Sequence, residues 1–341
     1  MIANGCLQHF ADKVLHGAYH RDDLGRTVIR HVNLHLQDQA VLRDDFRAIK
    51  SSIERNMLLK KENNNVYIVG NNLYYKFYGI NQRYIERSAT LMNRIADTID
   101  SDKTYLSVIP SKAQMLDKSK YLLSDQTVIS DYLRQNVNAE YIDLMSLATK
   151  GNENLFYVTD HHWTTEGAIQ AYKIPVSTMG YEPVTDYTFE QVSDSYVGSN
   201  YGKAAVKSIK KDKIFLAHND YLDAMTVSRF ETMDTFKHFV SIYFREKLSG
   251  LDPYDVFIGG LGPITILENH CIENDDELIV FKDSYSHVLA PFLAQHFKKV
   301  TLFDLRYVRK EYIFNAYDLT GNTILFIFST TILNNEPQIL N

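Results

Sequence analysis

Ser284 is the residue whose surroundings best suit a nucleophile. It follows an apolar run at 277–281, which predicts a buried strand, and precedes residues 288–297, whose apolar spacing predicts a helix. A serine in such a turn exposes its hydroxyl at the carboxyl end of a strand, and its own N–H lies near a helix N-terminus that stabilises negative charge. A structural alternative, in which Asp283, Ser284 or Ser286 caps the helix, stays open.

Asp160 and His162 supply the two groups that would activate such a serine. They are two residues apart, so in extended backbone both side chains project to the same side. A serine needs a base to take its proton, and the imidazole needs a carboxylate to hold its tautomer. An Asp-x-His loop can supply both groups from one short segment, and His161 would then point the other way. Two alternatives stay open: a metal site, for which no further ligand stands at a usual spacing, and a helix cap at Asp160 or Thr164.

Short apolar runs separated by helices predict an α/β fold. Such runs suit the strands of a sheet that helices cover on both faces. They lie at 104–110, 141–144, 277–281, 299–303 and 323–328. Helices are predicted at 36–59, 80–99 and 128–137, and a hairpin at 66–69 and 73–77. The expected architecture is a three-layer, mostly parallel sheet.

The chain is expected to have an N-terminal helical extension over 1–62 and a catalytic domain over 63–341. A stretch at about 181–250 is rich in Tyr, Ser, Asp and Lys and has weak periodicity, which indicates an insertion of short strands and loops. The histidines at positions 9, 16, 20, 31 and 35 form no recognised metal-ligand pattern with Cys6 or with the acidic residues near them. We expect them at the surface, and we expect neither a metal nor a cofactor.

Composition excludes several classes of protein. The 36 basic and 42 acidic residues give a net charge of −6 without a basic block, which argues against a nucleic-acid partner. Cys6 and Cys271 are too far apart for a metal knuckle or a disulfide framework, although one long-range bridge between them stays open. No apolar stretch approaches the roughly 20 residues that span a bilayer, and the first residues do not have the pattern of a signal peptide.

Residues 160–163 read Asp-His-His-Trp, which is the signature of the DHHW family. That family resembles the alginate O-acetyltransferase group of SGNH-like proteins, whose shared form is Asp-x-His-Trp followed by Ser or Thr, here Thr164. Residues 282–285 and 304–307 look like the nucleophile block of the family and the block after it. The resemblance runs from about residue 38 to about residue 330, and it is nearest to the secondary cell wall polysaccharide O-acetyltransferases of Gram-positive bacteria.

The resemblance implies an SGNH-hydrolase-like, flavodoxin-like fold with a permuted triad order, because the Asp-His pair precedes the serine. It makes Ser284 the acyl nucleophile, His162 the general base and Asp160 the orienting carboxylate. It also implies a second oxyanion donor beside the Ser284 N–H. The candidates for that donor are Gly259, Gly260 and Gly262, of which Gly260 is favoured; Leu261 stands where SGNH proteins offer an Asn side chain.

Other residues of these blocks have implied roles in substrate binding or support. Tyr285, Arg306 and Tyr307 are expected to line the substrate pocket. A salt bridge and core packing are the open alternatives for Arg306 and Tyr307. Trp163, the single tryptophan of the chain, is expected to pack behind the loop that holds Asp160.

The function that the resemblance implies is O-acetylation of an extracytoplasmic polysaccharide, through an acetyl group held on Ser284. A membrane-bound O-acyltransferase would deliver the acetyl group, and the protein would act as a monomer, anchored to the membrane by a segment before Met1. The net charge makes a neutral or cationic glycan the easier acceptor. A carbohydrate esterase with the same triad and a non-catalytic glycan-binding protein are the alternatives.

Overall fold

The computed structural model describes residues 43–57, 60–101, 103–232 and 235–335. The chain forms two units, one ending at Lys60 and the other beginning at Lys61, which is close to the boundary predicted after residue 62. Within the first unit, helix α1 spans Arg43–Asn56, inside the helix predicted at 36–59. The rest of the predicted extension, with its five histidines and Cys6, lies outside the described residues.

The second unit contains the predicted sheet. Its strands are β1 Glu62–Asn63, β2 Val66–Val69, β3 Asn72–Tyr75, β4 Thr104–Ile109, β5 Glu140–Ile142, β6 Thr188–Tyr196, β7 Asp212–His218, β8 Met225–Thr232, β9 Thr235–Phe239, β10 Ile264–Asn269, β11 Glu277–Lys282, β12 Lys299–Phe303 and β13 Thr323–Ser329. Its helices are α2 Gln82–Ile99, α3 Thr127–Asn136, α4 Thr165–Thr178, α5 Ser199–Ala204, α6 Asp220–Asp223, α7 Ser286–Leu293, α8 Lys310–Ala316 and α9 Thr330–Asn335. The elements whose bounds were predicted lie within a few residues of them, whereas β1, β6 to β10 and the helices α5, α6, α8 and α9 were not predicted individually.

The central sheet has eight strands in the order β5-β4-β13-β11-β12-β10-β8-β9. The pairs from β5 to β12 are parallel, whereas β10, β8 and β9 continue the sheet with antiparallel pairs. The carboxyl ends of β4, β13 and β11 therefore meet at one edge, where ligands bind in open α/β sheets.

Helices cover both faces of this sheet, as the three-layer prediction requires. In β11, Leu278 and Val280 pack with the buried side chains of α4 and α7. The alternate residues Ile279 and Phe281 pack with those of α2 and α3 on the opposite face. Because successive side chains of a strand point to opposite faces, a strand buried on both sides reads as a continuous apolar run. The predicted α/β, mostly parallel architecture is confirmed.

The segment predicted as an insertion at about 181–250 contributes strands to two different sheets. Strands β6 and β7 pair with each other in a separate antiparallel ribbon. Strands β8 and β9 instead join the central sheet through β10, so this part of the segment belongs to the main architecture. Within the described residues, none of the helices is both long enough and apolar enough to cross a bilayer.

Candidate active site

The turn between β11 and α7 holds Ser284 half-exposed at the carboxyl edge of the sheet. Asp283 is fully buried and fixes the turn, because its carboxylate accepts from Tyr285 N at 3.0 Å and from Ser329 N at 2.7 Å. The second bond ties the turn to the end of β13. Tyr285, the residue before α7, makes no capping bond with its own side chain, and the Asp283 carboxylate satisfies the N–H of Tyr285 in the turn that leads into the helix.

Ser284, His162 and Asp160 form one continuous hydrogen-bonded relay. The distance from His162 Nε2 to Ser284 Oγ is 2.8 Å, and that from His162 Nδ1 to Asp160 Oδ1 is 2.6 Å. A carboxylate accepts, so the proton of the neutral imidazole lies on Nδ1 and leaves Nε2 as the acceptor for the serine hydroxyl. This is the arrangement in which a histidine withdraws the proton of a serine. Folding thus brings Ser284 into contact with His162, which lies 122 positions earlier in the sequence, and keeps His162 in contact with Asp160.

Asp160 is held as an anion. Its Oδ1 also accepts from His162 N at 3.0 Å, and its Oδ2 accepts from Ser199 N at 2.6 Å. Burial alone would raise the pKa of Asp160, but electrostatic attraction to the imidazoles of His161 and His162 and the hydrogen bonds from His162 hold that pKa well below its ordinary value. A Cβ at Gly198 would lie 2.2 Å from Asp160 Oδ2, so only glycine fits against the carboxylate.

Asp212 at the start of β7 anchors the backbone just before the triad loop. Its Oδ1 accepts from Val158 N at 2.7 Å, and its Oδ2 accepts from Thr159 N at 2.8 Å and from Thr159 Oγ1 at 2.5 Å. The Thr159 hydroxyl in turn accepts from Gly198 N at 3.0 Å. Asp212 was not predicted, because in the run Lys-Lys-Asp-Lys its residue type indicates only one more solvated charge.

Lys112 anchors the same loop from the other side. Its side chain is 1% exposed, and Nζ donates to Tyr157 O at 2.7 Å and to Asn72 Oδ1 at 2.9 Å. Burial lowers the pKa of Lys112 to about 7, although the carboxylates of Asp212, Asp160 and Glu153 act in the opposite direction. A lysine in a short polar turn has no sequence signal for burial, so this residue was missed as well.

Aromatic rings enclose the imidazole of the triad. The Tyr254 ring stacks on His162 with centroids 4.1 Å apart and planes 8° apart. Tyr285 OH donates to His161 O at 2.7 Å. Trp163 is fully buried and stacks on Phe156 at 4.5 Å, behind the loop, where the packing prediction put it. Such packing limits the rotation of His162 and of its loop.

The favoured second oxyanion donor is already engaged in the structure. The N–H of Gly260 donates to Phe257 O at 3.1 Å, which closes a turn. Gly260 has a φ of +79°, and Arg229 Nη2 donates to the neighbouring Leu261 O at 2.6 Å. An amide that donates within its own turn is unavailable to an oxyanion, so this arrangement does not support the assignment of Gly260.

Arg306 and Tyr307 have surroundings that differ from the predicted pocket. Arg306 forms two hydrogen bonds to the buried Asp304, from Nε at 2.8 Å and from Nη2 at 2.6 Å. Lys282 Nζ lies 3.4 Å from the same carboxylate and 3.0 Å from His287 Nε2. The salt-bridge alternative therefore describes Arg306, and Tyr307 is half-exposed beside its guanidinium.

A cavity of about 510 Å³ lies beside the triad. His161 and Tyr285, the chain neighbours of His162 and Ser284, form part of its wall, so the predicted place of Tyr285 near a ligand matches this cavity. Arg306 and Tyr307 do not line it.

A metal ion would compete with the triad for the same atoms. Among the described residues, donor atoms of Asp160, His161 and His162 lie within 4.8 Å of one another. Both ring nitrogens of His162 and both oxygens of Asp160 already take part in the hydrogen bonds of the relay. An ion held by Asp160 and His162 would replace those bonds, so the arrangement suits proton transfer better than metal binding.

Known proteins share this fold. A DHHW family protein from Eubacterium siraeum is 21% identical with a TM-score of 0.68, over 82% of this chain and 95% of that one. Bacillus cereus PatB1 with a sulfonyl adduct is 21% identical with a TM-score of 0.66, over 81% and 97%. The O-acetyltransferase domain of Pseudomonas putida AlgJ is 14% identical over 80% of this chain and 92% of that one, with a TM-score of 0.48, which is too low to establish a shared fold.

A comparison with curated proteins finds no match. The sequence model of the DHHW protein family matches residues 51–303, which is most of the chain and includes the whole triad. The chain belongs to the DHHW family.

Proposed function

We propose that this protein is an O-acetyltransferase that carries an acetyl group on Ser284 and passes it to a hydroxyl of an extracytoplasmic polysaccharide. The hydrogen-bonded relay from Asp160 through His162 to Ser284 is the observation that carries the proposal. Membership of the DHHW family and the fold shared with PatB1 support it. The order of the triad along the chain supports the further inference of a permuted SGNH-like site.

The first half of the reaction loads the enzyme. His162 Nε2 takes the proton of Ser284 Oγ, and Oγ attacks the carbonyl carbon of the acetyl donor. The tetrahedral oxyanion is stabilised by the Ser284 N–H, which donates to no acceptor among the described residues. The bond to the leaving group breaks, His162 returns the proton to that group, and an acetyl ester remains on Ser284.

The second half transfers the acetyl group. His162 takes the proton of an acceptor hydroxyl, whose oxygen attacks the ester carbonyl. The bond to Ser284 Oγ then breaks and the proton returns to the serine, so the enzyme is regenerated. We propose a polysaccharide as acceptor and a membrane-bound O-acyltransferase as the source of the acetyl group, with the protein acting as a monomer outside the cytoplasmic membrane.

Mass spectrometry of the intact protein tests the proposal. After a short exposure to 4-nitrophenyl acetate, we expect a mass increase of one acetyl group, which peptide mapping assigns to Ser284. A sulfonyl fluoride should label the same residue and prevent acetylation. Ser284→Ala should show neither modification. Ser119 is an exposed serine that is distant from Ser284 in the sequence, so Ser119→Ala should behave as the wild type.

The proposal is wrong if Ser284 carries no acetyl group under conditions in which 4-nitrophenyl acetate is consumed. Adding an oligosaccharide to the loaded protein separates a transferase from an esterase. A transferase gives an acetylated sugar faster than free acetate, and an esterase gives acetate alone.

A further inference from the structure

The cavity beside the triad has a strongly one-sided charge. Three lysines, Lys76, Lys112 and Lys203, contribute to its wall, and among the described residues no carboxylate does so. The rest of the wall includes aromatic rings, among them Tyr75 and Tyr285. A wall with lysines and tyrosines and without acidic groups favours a ligand that has negative charge and a ring face.

The three lysines are not equally available to a ligand. Lys76 is paired with Glu62 at 3.1 Å, which neutralises much of its charge. Lys112 is committed to Tyr157 O and Asn72 Oδ1, and burial lowers its pKa to about 7. Lys203 is exposed, and no carboxylate of the described residues forms an ion pair with it. Its Nζ lies 4.3 Å from the Tyr75 ring centroid, so it is the cation that a ligand can use.

Asn200 supplies an independent sign of a ligand. Its side chain is 1% exposed and forms part of the cavity wall. Neither its Oδ1 nor its Nδ2 has a hydrogen-bond partner among the described residues. An amide that is buried without partners is costly, and hydroxyl groups of a ligand can both donate to and accept from it. Asn200 and Lys203 are on the same short helix, α5, so both can contact one ligand.

We propose that this cavity binds an anionic sugar unit of the acceptor, with its carboxylate or phosphate on Lys203 and a hydroxyl on Asn200. The inference rests on the proposed function, because it assigns the acceptor of the same site. It also replaces the expectation of a neutral or cationic glycan, because a bound ligand interacts with the charges that line the cavity and not with the net charge of the chain. The overall charge of −6 is distributed over the whole chain.

Calorimetry with the Ser284→Ala protein tests the site without any chemistry. The probes are an oligogalacturonate, its methyl ester, which has the same sugar without the charge, and glucose 6-phosphate. We expect the oligogalacturonate or the phosphate to bind at least about ten-fold more tightly than the methyl ester, as one charge-assisted hydrogen bond allows. The two anionic probes distinguish a carboxylate from a phosphate. Added salt should weaken the anionic binding only.

Variants assign the binding to the two residues. Lys203→Gln should lower the affinity for the anion by about ten-fold, Lys203→Arg should restore most of it, and the exposed Lys213→Gln should have no effect. Asn200→Leu should lower the affinity for the anion and for the methyl ester by the same factor, because it removes a hydrogen bond without changing the charge. Equal affinity for both galacturonates, no binding of either anion, or an unchanged affinity in Lys203→Gln overturns the inference.

The outcome is separable from that of the proposed function. Anion binding by the Ser284→Ala protein does not require an acetyl-enzyme, and acetylation of Ser284 by 4-nitrophenyl acetate does not require a sugar. If acetylation occurs without anion binding, only the inference about the acceptor fails. If the anion binds and Ser284 is never acetylated, the ligand site stands and the transferase proposal fails.

Discussion

At the scale of single residues, the state of His162 depends on the charge of Asp160. The carboxylate accepts from His162 Nδ1 and so leaves Nε2 free to receive the proton of Ser284. In the proposed mechanism it would also stabilise the imidazolium that forms when the serine attacks. The motif predicts both roles because it places the base and its carboxylate in one short loop. His161, which was expected to point the other way, lies with its Nδ1 3.3 Å from Asp160 Oδ1.

Asp160→Asn tests the charge without changing the shape. The amide can donate to His162 Nδ1 and select the tautomer that blocks Nε2, so we expect the rate of acetyl-enzyme formation to fall by about 10³- to 10⁴-fold. The burst of 4-nitrophenol in stopped-flow measurements reports that rate. Circular dichroism should remain that of the wild type. A loss of less than ten-fold would contradict the role given to Asp160.

At the scale of elements, the triad loop owes its position to neighbours that are distant in sequence. The loop is held by Asp212 of β7, by Lys112 after β4, and by the Gly198 backbone before α5. The segment around Gly198 belongs to the stretch that reads as an insertion. That stretch therefore positions the triad loop as well as extending the sheet.

Gly198→Ala tests the close approach of this segment to the triad. The new methyl group would fall 2.2 Å from Asp160 Oδ2, so either the carboxylate or the segment must shift. A displacement of about 1 Å at a catalytic group lowers rates by about 10²-fold. We expect that loss in single-turnover acetylation.

Gly202→Ala is the matched control. Gly202 lies in the adjacent helix α5, and a Cβ there meets no atom within 4 Å. Its acetylation rate should stay close to that of the wild type. Similar rates for the two variants would show that the contact between Gly198 and Asp160 does not matter.

At the scale of the whole molecule, Lys112 links the β2–β3 hairpin to the catalytic loop at a cost in stability. Its pKa falls from 10.5 to about 7 on folding, chiefly through burial. A base whose folded pKa lies below its unfolded pKa destabilises the folded state most when both states are protonated, here below about pH 7. The penalty then decreases as the pH rises toward 10.5.

Lys112→Met should therefore change how stability depends on pH. We expect the free energy of unfolding of the wild type, relative to the variant, to rise between pH 7 and pH 10. Urea titrations at several pH values measure this difference, and the exposed Lys213→Met should show no such trend. A difference that is constant with pH would contradict the burial of a proton-releasing lysine.

The sequence by itself predicted the α/β class, the bounds of the central parallel strands and the residues of the Asp160–His162–Ser284 relay. These predictions rest on local signals: the Asp-His-His-Trp motif and a serine between a strand and a helix mark the relay, and apolar runs and spacing mark strands and helices. Strands β8 and β9, the last two in the order of the sheet, were not predicted individually because polar residues interrupt their apolar ones. Only half of their side chains need to be apolar, and the pattern is weak.

Only the tertiary structure decided which groups complete the site. Gly260 was favoured as an oxyanion donor because glycine allows close approach, but its N–H is used within its own turn. Asp212, Lys112 and Asn200 were not identified, since neither burial nor the lack of a partner can be read from a residue type. The charge that a ligand meets was likewise decided by folding, which brings Lys203 and Lys76 to a wall without acids in a chain that is acidic overall.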